Sequence, residues 1–154
     1  MKKIALVLLT IIFAAGCSST KTAKNNVTDT KSAANGLSFE YEASTRGAYQ
    51  KVVVTQDSVI TIKDRDMKDV VKKTTTKGDW DKLTAAAGKI NPEGLKDLKA
   101  PSVKHQFDGA LMANLKIIKE GKEYRSVTFD HGNPPSEIAP LVNKIISMSD
   151  LKTK

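Results

Sequence analysis

The chain has 154 residues, a formal net charge of +8, one cysteine and 40% hydrophobic residues. This length predicts one domain with room for a tail, because globular domains typically run to about 100–200 residues. A single cysteine excludes an internal disulfide framework and zinc sites built from paired CxxC motifs. The hydrophobic content argues against disorder over the whole chain.

Residues 1–16 have the pattern of a secretory signal peptide. Two lysines precede an apolar run over 4–15, which is too short for the roughly 20 residues that span a bilayer as a helix. Small residues then lead into Cys17, in the order Ala-Ala-Gly-Cys. This resembles a bacterial lipobox, which implies a covalent diacylglycerol on Cys17 and a mature chain that begins there. The alternative is an uncleaved anchor with an incidental cysteine.

The residues after the cysteine bear on the membrane that the anchor occupies. Ser18 follows the cysteine, whereas an aspartate at this position would resemble the inner-membrane retention signal of enteric-type bacteria. The first acidic residue is Asp29, so no acidic run follows the cysteine directly. We therefore expect a lipid anchor in the outer membrane, with the chain facing the periplasm. Nucleic acid is not an expected partner of an exported protein.

Residues 17–36 are predicted to be the lipidated cysteine followed by a flexible tether. The stretch 18–36 consists mainly of Ser, Thr, Asn, Lys and Ala, and Val27 is its one large apolar residue. Such a segment cannot bury enough apolar surface to offset the entropy of ordering. A coil of this length spans about 24 Å. Residues 37–154, predicted to form a single domain, carry a net +4, which also suits contact with anionic headgroups.

The pattern from Leu37 onward predicts an antiparallel sheet. Apolar and polar residues alternate over 37–44, as in a half-buried strand. The β-branched runs 52–54 and 59–62 flank a turn and indicate a hairpin, and 69–76 is a weaker fourth strand. Two further strands, 111–117 and 127–129, form a second hairpin. A three-residue loop at 119–121, with Gly121 in the left-handed conformation, would place Phe129 opposite Leu111.

Two amphipathic helices complete the predicted elements. Trp80 begins an apolar stripe at helical spacing, with Asp79 as its expected N-cap, and this tryptophan is expected in the core. A second stripe runs over 138–148, with Ser136 as the expected N-cap and Pro140 able to delay the start. These elements predict an α+β fold, in which an antiparallel sheet of about five or six strands carries two helices on one face.

One group of polar residues has the composition of a metal site. His105 and Asp108 precede the second hairpin and Asp130 and His131 follow it, so all four lie at the same end of that hairpin. Two imidazoles and two carboxylates can hold a divalent metal such as zinc. The alternative is structural: the stretch 130–133 is good turn chemistry, Asp108 caps a loop, and His131 packs in the core with hydrogen bonds.

The loop 44–49 is a candidate interaction loop. Arginine and tyrosine are enriched at interface anchors, and this loop carries Arg46 and Tyr49. In the alternative interpretation Tyr49 faces the core and Arg46 pairs with Glu42. Glu40 and Glu42 share a strand face that we expect to be solvated.

Five short motifs resemble small uncharacterised lipoproteins of Bacteroidota-type bacteria: FEY at 39–41, STRGAYQKV at 44–52, WDKL at 80–83, LKAPS at 98–102 and FDHGNPPSEI at 129–138. The resemblance implies a shared fold and envelope location, but no activity and no catalytic residue. GxSxG, HExxH and phosphate-loop motifs are also missing from the sequence.

The expected function is therefore a non-enzymatic binding or scaffold domain without a cofactor, held at the membrane by its lipid and contacting an envelope protein. The first alternative is an inhibitor or immunity protein that blocks an envelope hydrolase with the loop 45–49. The second is a metal-binding protein that uses His105, Asp108, Asp130 and His131.

Overall fold

The computed structural model describes residues 36–151 of the chain. The predicted signal peptide, the predicted lipidation site Cys17 and the predicted tether up to residue 35 lie outside these residues. Within 36–151, no helix combines the length and the apolar character needed to cross a bilayer.

Seven antiparallel strands form one sheet with β1 near its centre. They run in the order β4-β3-β2-β1-β5-β6, and β7 also pairs with β5. Their bounds are β1 Leu37–Ser44, β2 Tyr49–Val54, β3 Ser58–Ile62, β4 Val70–Thr74, β5 Met112–Lys119, β6 Lys122–Arg125 and β7 Phe129–Asp130. The helices are α1 (Lys77–Ala87) and α2 (Ala139–Met148), with short 3₁₀ helices at Pro92–Asp97 and Lys104–Phe107. The predicted α+β class is confirmed.

The core lies between one face of the sheet and the two α-helices. Phe39 and Tyr41 point from β1 into this core, and Phe129 joins them from β7. Trp80 of α1 packs on Phe39 with ring centroids 5.9 Å apart but is only half-buried, so it lies at the edge of the core and not within it as predicted. The other buried apolar residues of this cluster are Ala43, Val52, Val54, Val59, Leu83, Leu95, Ala113, Leu115, Ile117, Ile138, Leu141, Val142 and Ile145.

The face of the sheet opposite the helices is less exposed than the sequence predicts. Glu40 retains only 7% of its accessible surface, so the expectation that it is solvated is wrong. Its carboxylate lies 2.8 Å from the Lys51 ammonium and 3.5 Å from that of Lys116. Cross-strand neighbours of opposite charge therefore cover Glu40, while Glu42 on the same face is half-buried.

Both α-helices begin at residues other than those predicted. Thr76, not Asp79, is the N-cap of α1, because its hydroxyl oxygen accepts a hydrogen bond from the Asp79 N–H at 3.1 Å. The Asp79 carboxylate in turn accepts from the Thr76 hydroxyl. The second helix begins at Ala139, later than a Ser136 N-cap requires, and Pro140 lies in its first turn. The predicted position of that proline near the first turn is confirmed.

The second hairpin has a different register from the predicted one. A two-residue turn joins Lys119 to its partner Lys122, and a bulge over 126–128 then shifts the pairing, so that Phe129 lies opposite Ala113 rather than Leu111. In the bulge, the Val127 N–H leaves the sheet and donates to the Leu95 carbonyl oxygen. The extra residue that returns Phe129 to the core face thus comes from the bulge and not from the turn.

The turn of this hairpin holds Glu120 in a backbone conformation that is unfavourable for glutamate. Both central residues have positive φ, 52° at Glu120 and 79° at Gly121, as a type I′ turn requires. Glutamate adopts this conformation poorly, whereas asparagine tolerates it. We expect Glu120→Asn to raise the free energy of unfolding by about 0.5 kcal/mol in urea denaturation. Gly121→Ala is the opposite control and should destabilise; equal stability of the two variants would contradict this account.

Candidate functional site

The predicted site residues in the described part of the chain gather at one end of the sheet. Gly36 leads into β1, and this strand of eight residues carries the chain roughly 25 Å before it ends at Ser44. We call the end of the sheet beyond Ser44 the distal end; it comprises the loops 45–48, 63–69, 102–111 and 131–135. The segment that precedes Gly36 therefore joins the domain at the opposite end.

Asp130 holds the loop 102–111 against the end of β7. One carboxylate oxygen accepts hydrogen bonds from the His105 N–H at 2.8 Å and from His105 Nδ1 at 2.6 Å. The other accepts from the Lys104 N–H at 2.9 Å and from the Ser102 hydroxyl. Only 2% of Asp130 is exposed, so all of its bonding capacity is directed at this loop. We call Asp130 with Ser102, Lys104 and His105 the Asp130 clasp.

The electrostatics of the Asp130 clasp favour the ionised carboxylate. Burial by itself raises the pKa of Asp130, but the hydrogen bonds from Ser102, His105 and Lys104 outweigh it and hold the pKa well below its usual value of 3.8. The carboxylate therefore stays charged under all ordinary conditions. A group held in this way is suited to fixing a loop in place.

His131 lies beside this clasp but points into the core. Its Nδ1 is 2.6 Å from the Tyr41 hydroxyl, and its Nε2 is 3.0 Å from the Gln50 side-chain amide. Burial lowers the pKa of His131 and raises that of Tyr41. Because the polar partners in contact with the imidazole are neutral, they do not favour its charged form. The structural alternative for His131, a packed and hydrogen-bonded histidine, agrees with this geometry.

The lowered pKa of His131 makes stability depend on pH. Below the unfolded value of about 6.5 the unfolded chain binds a proton that the folded protein does not, so the free energy of unfolding should fall as pH drops below 6.5. Above that value His131 contributes no slope. Urea denaturation between pH 5 and pH 8 measures the effect. The His131→Gln variant should lose this slope, and an unchanged slope in the variant would contradict the assignment.

The four residues predicted as metal ligands do not form one coordination shell. His105 bonds to Asp130, His131 bonds to Tyr41 and Gln50, and Asp108 is exposed at the end of the 3₁₀ helix with a φ of 56°. Over residues 36–151, no group of three or more His, Cys, Asp and Glu side chains is arranged to hold a metal ion.

The loop 63–69 holds the candidate interaction loop at 45–48 in place. The Arg65 guanidinium donates to the Thr45 carbonyl oxygen at 2.6 Å and stacks over the Tyr49 ring, 5.3 Å from its centroid. Tyr49 is half-buried in β2 and, by strand alternation, shares the face opposite the helices with Lys51. Arg46 is exposed, and no ion pair to Glu42 is found among residues 36–151. An open cleft of about 440 Å³ lies between the two loops.

The exposed apolar residues of the distal end were missed by the sequence analysis. Phe107 is 81% exposed at the tip of the loop 102–111. Val103 in the same loop is 46% exposed, Met112 directly after it is 45% exposed, and Met67 in the loop 63–69 is 47% exposed. These are the four exposed large apolar side chains of the described residues, and all lie at the distal end. Phe107 could have been singled out because it interrupts a polar stretch, KHQFDG, outside any helical or strand period.

A second cavity, of about 410 Å³, lies at the opposite end of the sheet, lined mainly by residues of the face away from the helices and also by Trp80 of α1. Its floor comes from strand residues that include Val53, Ile60 and Ile118. The runs 52–54 and 59–62 explain this floor, because consecutive β-branched residues put apolar side chains on both faces of a strand. The remaining lining residues are Gly36, Leu37, Ser38, Glu40, Thr55, Gln56, Asp57, Ser58 and Lys72.

No protein-family model, curated protein or solved structure matches this chain. The function is therefore inferred from the geometry of the distal end and from the sequence.

Proposed function

We propose that this protein is a non-enzymatic binding module of the bacterial cell envelope, anchored through lipid on Cys17 in the outer membrane and facing the periplasm. The observation that carries the proposal is the concentration of exposed apolar side chains at the distal end. Monomeric soluble domains expose such residues singly, whereas clusters of them mark interaction sites.

The hydrogen bonds of the ionisable residues at this end support a binding role. A general acid or base must have its reactive atom within hydrogen-bond reach of a substrate. Both oxygens of Asp130 instead bind the loop 102–111, and both ring nitrogens of His131 contact core side chains. These groups stabilise the surface that presents Phe107.

The position of the predicted anchor supports the same role. The tether would join the domain at the start of β1, roughly 25 Å from the distal end. A tether of the predicted length reaches about 24 Å from the membrane. The domain would then stand clear of the headgroups, and the distal loops would lie at the end of the sheet away from the attachment point, where they can meet another protein.

Site-specific photocrosslinking of the lipidated protein in intact envelopes tests the proposal. A benzophenone amino acid replaces Gln106, which is exposed beside Phe107, or Lys82, which is exposed on α1 as a matched control. We expect one dominant protein adduct from position 106 and none from position 82. A lack of any specific adduct at position 106, or the same adducts from both positions, would contradict the proposal.

The inhibitor alternative is favoured by one observation, the bracing of the loop 45–48 by Arg65. A loop that is already held rigid loses little conformational entropy when it inserts into an active site, which favours inhibition. In the same experiment it predicts that the crosslinked partner is a hydrolase. Addition of the purified protein should then inhibit that hydrolase, and the Arg46→Ala/Tyr49→Ala variant should not.

A further inference from the structure

We propose that Phe107 is a preformed apolar anchor that inserts into an uncharged apolar pocket of a partner protein. This inference rests on the proposed function and names the residue and the kind of partner surface involved. Aromatic side chains that fill a pocket on the partner contribute most of the binding energy in many interfaces.

The Phe107 side chain contributes little to the packing of the domain. With 81% of its surface accessible, the ring buries little on folding, while Phe39 and Phe129 are fully buried in the core. Val103 in the same loop and Met112 directly after it are also exposed apolar residues. The loop therefore presents a largely accessible aromatic ring, and such a ring can fill a concave pocket on a partner.

The backbone that carries Phe107 is held in one conformation. The Gln106 N–H donates to the Val103 carbonyl oxygen at 3.0 Å, and the Gly109 N–H donates to the Lys104 carbonyl oxygen at 2.9 Å. A Cβ at Gly109 would lie 3.3 Å from that same carbonyl oxygen, which is closer than an ordinary contact, so a larger residue there requires the turn to shift. The Asp130 clasp then fixes the turn to the sheet. Binding through Phe107 thus requires little further ordering, which favours affinity.

The charge of this loop favours a protein pocket over a lipid surface. Lys104 and Asp108 are the charged residues of the segment 103–109, and they cancel. Insertion into an anionic membrane gains strength from several basic residues around the apolar group, which this segment does not offer. The chain before Gly36, which leads toward the predicted anchor, also enters the domain at the other end.

The test uses the lipidated full-length chain in envelopes, with the benzophenone probe at Gln106. Phe107→Ser should reduce the protein adduct at least about 10-fold, and Phe107→Leu should retain most of it, because leucine keeps an apolar side chain. Ala85→Ser changes an exposed apolar residue of α1, outside the distal loops, and serves as the matched control, with an unchanged adduct expected. Once the partner is identified and purified, Phe107→Ser should raise the dissociation constant of the complex about 30-fold.

Gly109→Ala separates the rigid turn from the side chain. This variant keeps Phe107 but requires the turn to shift by a few tenths of an ångström, so we expect it to weaken binding severalfold while the thermal unfolding of the core changes little. Binding as tight as that of the wild type would overturn the role of the preformed turn.

The remaining outcomes distinguish this inference from the proposed function. An adduct from position 106 that persists in Phe107→Ser overturns the role of Phe107 and leaves the binding module intact. An adduct to phospholipid in place of protein overturns the protein pocket. No adduct in any variant contradicts both. Circular dichroism melting of each variant ensures that a lost adduct does not reflect a lost fold.

Discussion

Replacement of Phe129 by alanine should lower the free energy of unfolding by about 3–5 kcal/mol, the largest loss we expect from a single substitution here. Phe129 is fully buried at the end of the sheet and packs beside Tyr41, with ring centroids 6.3 Å apart. Truncation removes the transfer free energy of the ring and leaves a cavity that its neighbours in β1 and β5 cannot fill, because strand pairing holds them in place. Urea denaturation followed by circular dichroism measures the loss.

The matched control is the same substitution at the exposed phenylalanine. Phe107→Ala should change the free energy of unfolding by less than about 0.5 kcal/mol, because its ring buries little on folding. Phe129→Ala should therefore lower the free energy of unfolding, whereas Phe107→Ala should remove binding without loss of stability. A large destabilisation by Phe107→Ala would mean that this ring packs against the protein and is not available to a partner.

The sequence predicted those features of the fold that depend on local periodicity. Alternation over 37–44 places Phe39 and Tyr41 on one face of β1, and the structure has both in the core. The helical stripes that begin at Trp80 and Ile138 likewise correspond to α1 and α2. In these segments burial and local propensity agree, so a pattern of a few residues is sufficient.

The register of the second hairpin could not be read in the same way. Phe129 must share a face with the core residues of β5, and this parity was predicted correctly. The face that Phe129 occupies does not show where the extra residue is inserted, because a bulge and a longer turn both return it to the core face. The bulge at 126–128 depends on the carbonyl oxygen of Leu95, a contact made only after the chain between them has folded back.

The distal end was predicted as a location but not as a set of contacts. The ends of the hairpin bring Asp130 and His131 together with the segment around His105, as the sequence indicated. Their actual partners are distant in the chain: Tyr41 lies 90 positions from His131. Phe107 was missed because an isolated apolar residue in a loop carries no periodic signal, and its exposure is a property of the folded turn.

Loss of the Asp130 carboxylate should release the loop 102–111 from the sheet. Asp130→Ala leaves the Ser102 hydroxyl and the N–H groups of Lys104 and His105 without their acceptor, and buried donors that lose a partner are strongly destabilising. We expect the melting temperature to fall by roughly 10 °C. The adduct from the probe at Gln106 should decrease as well, because Phe107 is then no longer held in one position.

The pH dependence identifies the carboxylate as the source of this stability. Because the pKa of Asp130 is held below its unfolded value of about 3.8, its contribution is complete above that pH and is lost as pH falls toward the folded value. The difference in melting temperature between the wild type and Asp130→Ala should therefore stay constant from pH 8 to pH 5 and shrink below about pH 4. Asp66→Ala is the control, since Asp66 is exposed and pairs only with the exposed Lys68 in the described contacts. A difference that stayed constant down to pH 2 would mean that Asp130 acts by its shape and not by its charge. In that case the clasp would hold Phe107 by packing alone, and Asp130→Asn would preserve both stability and binding.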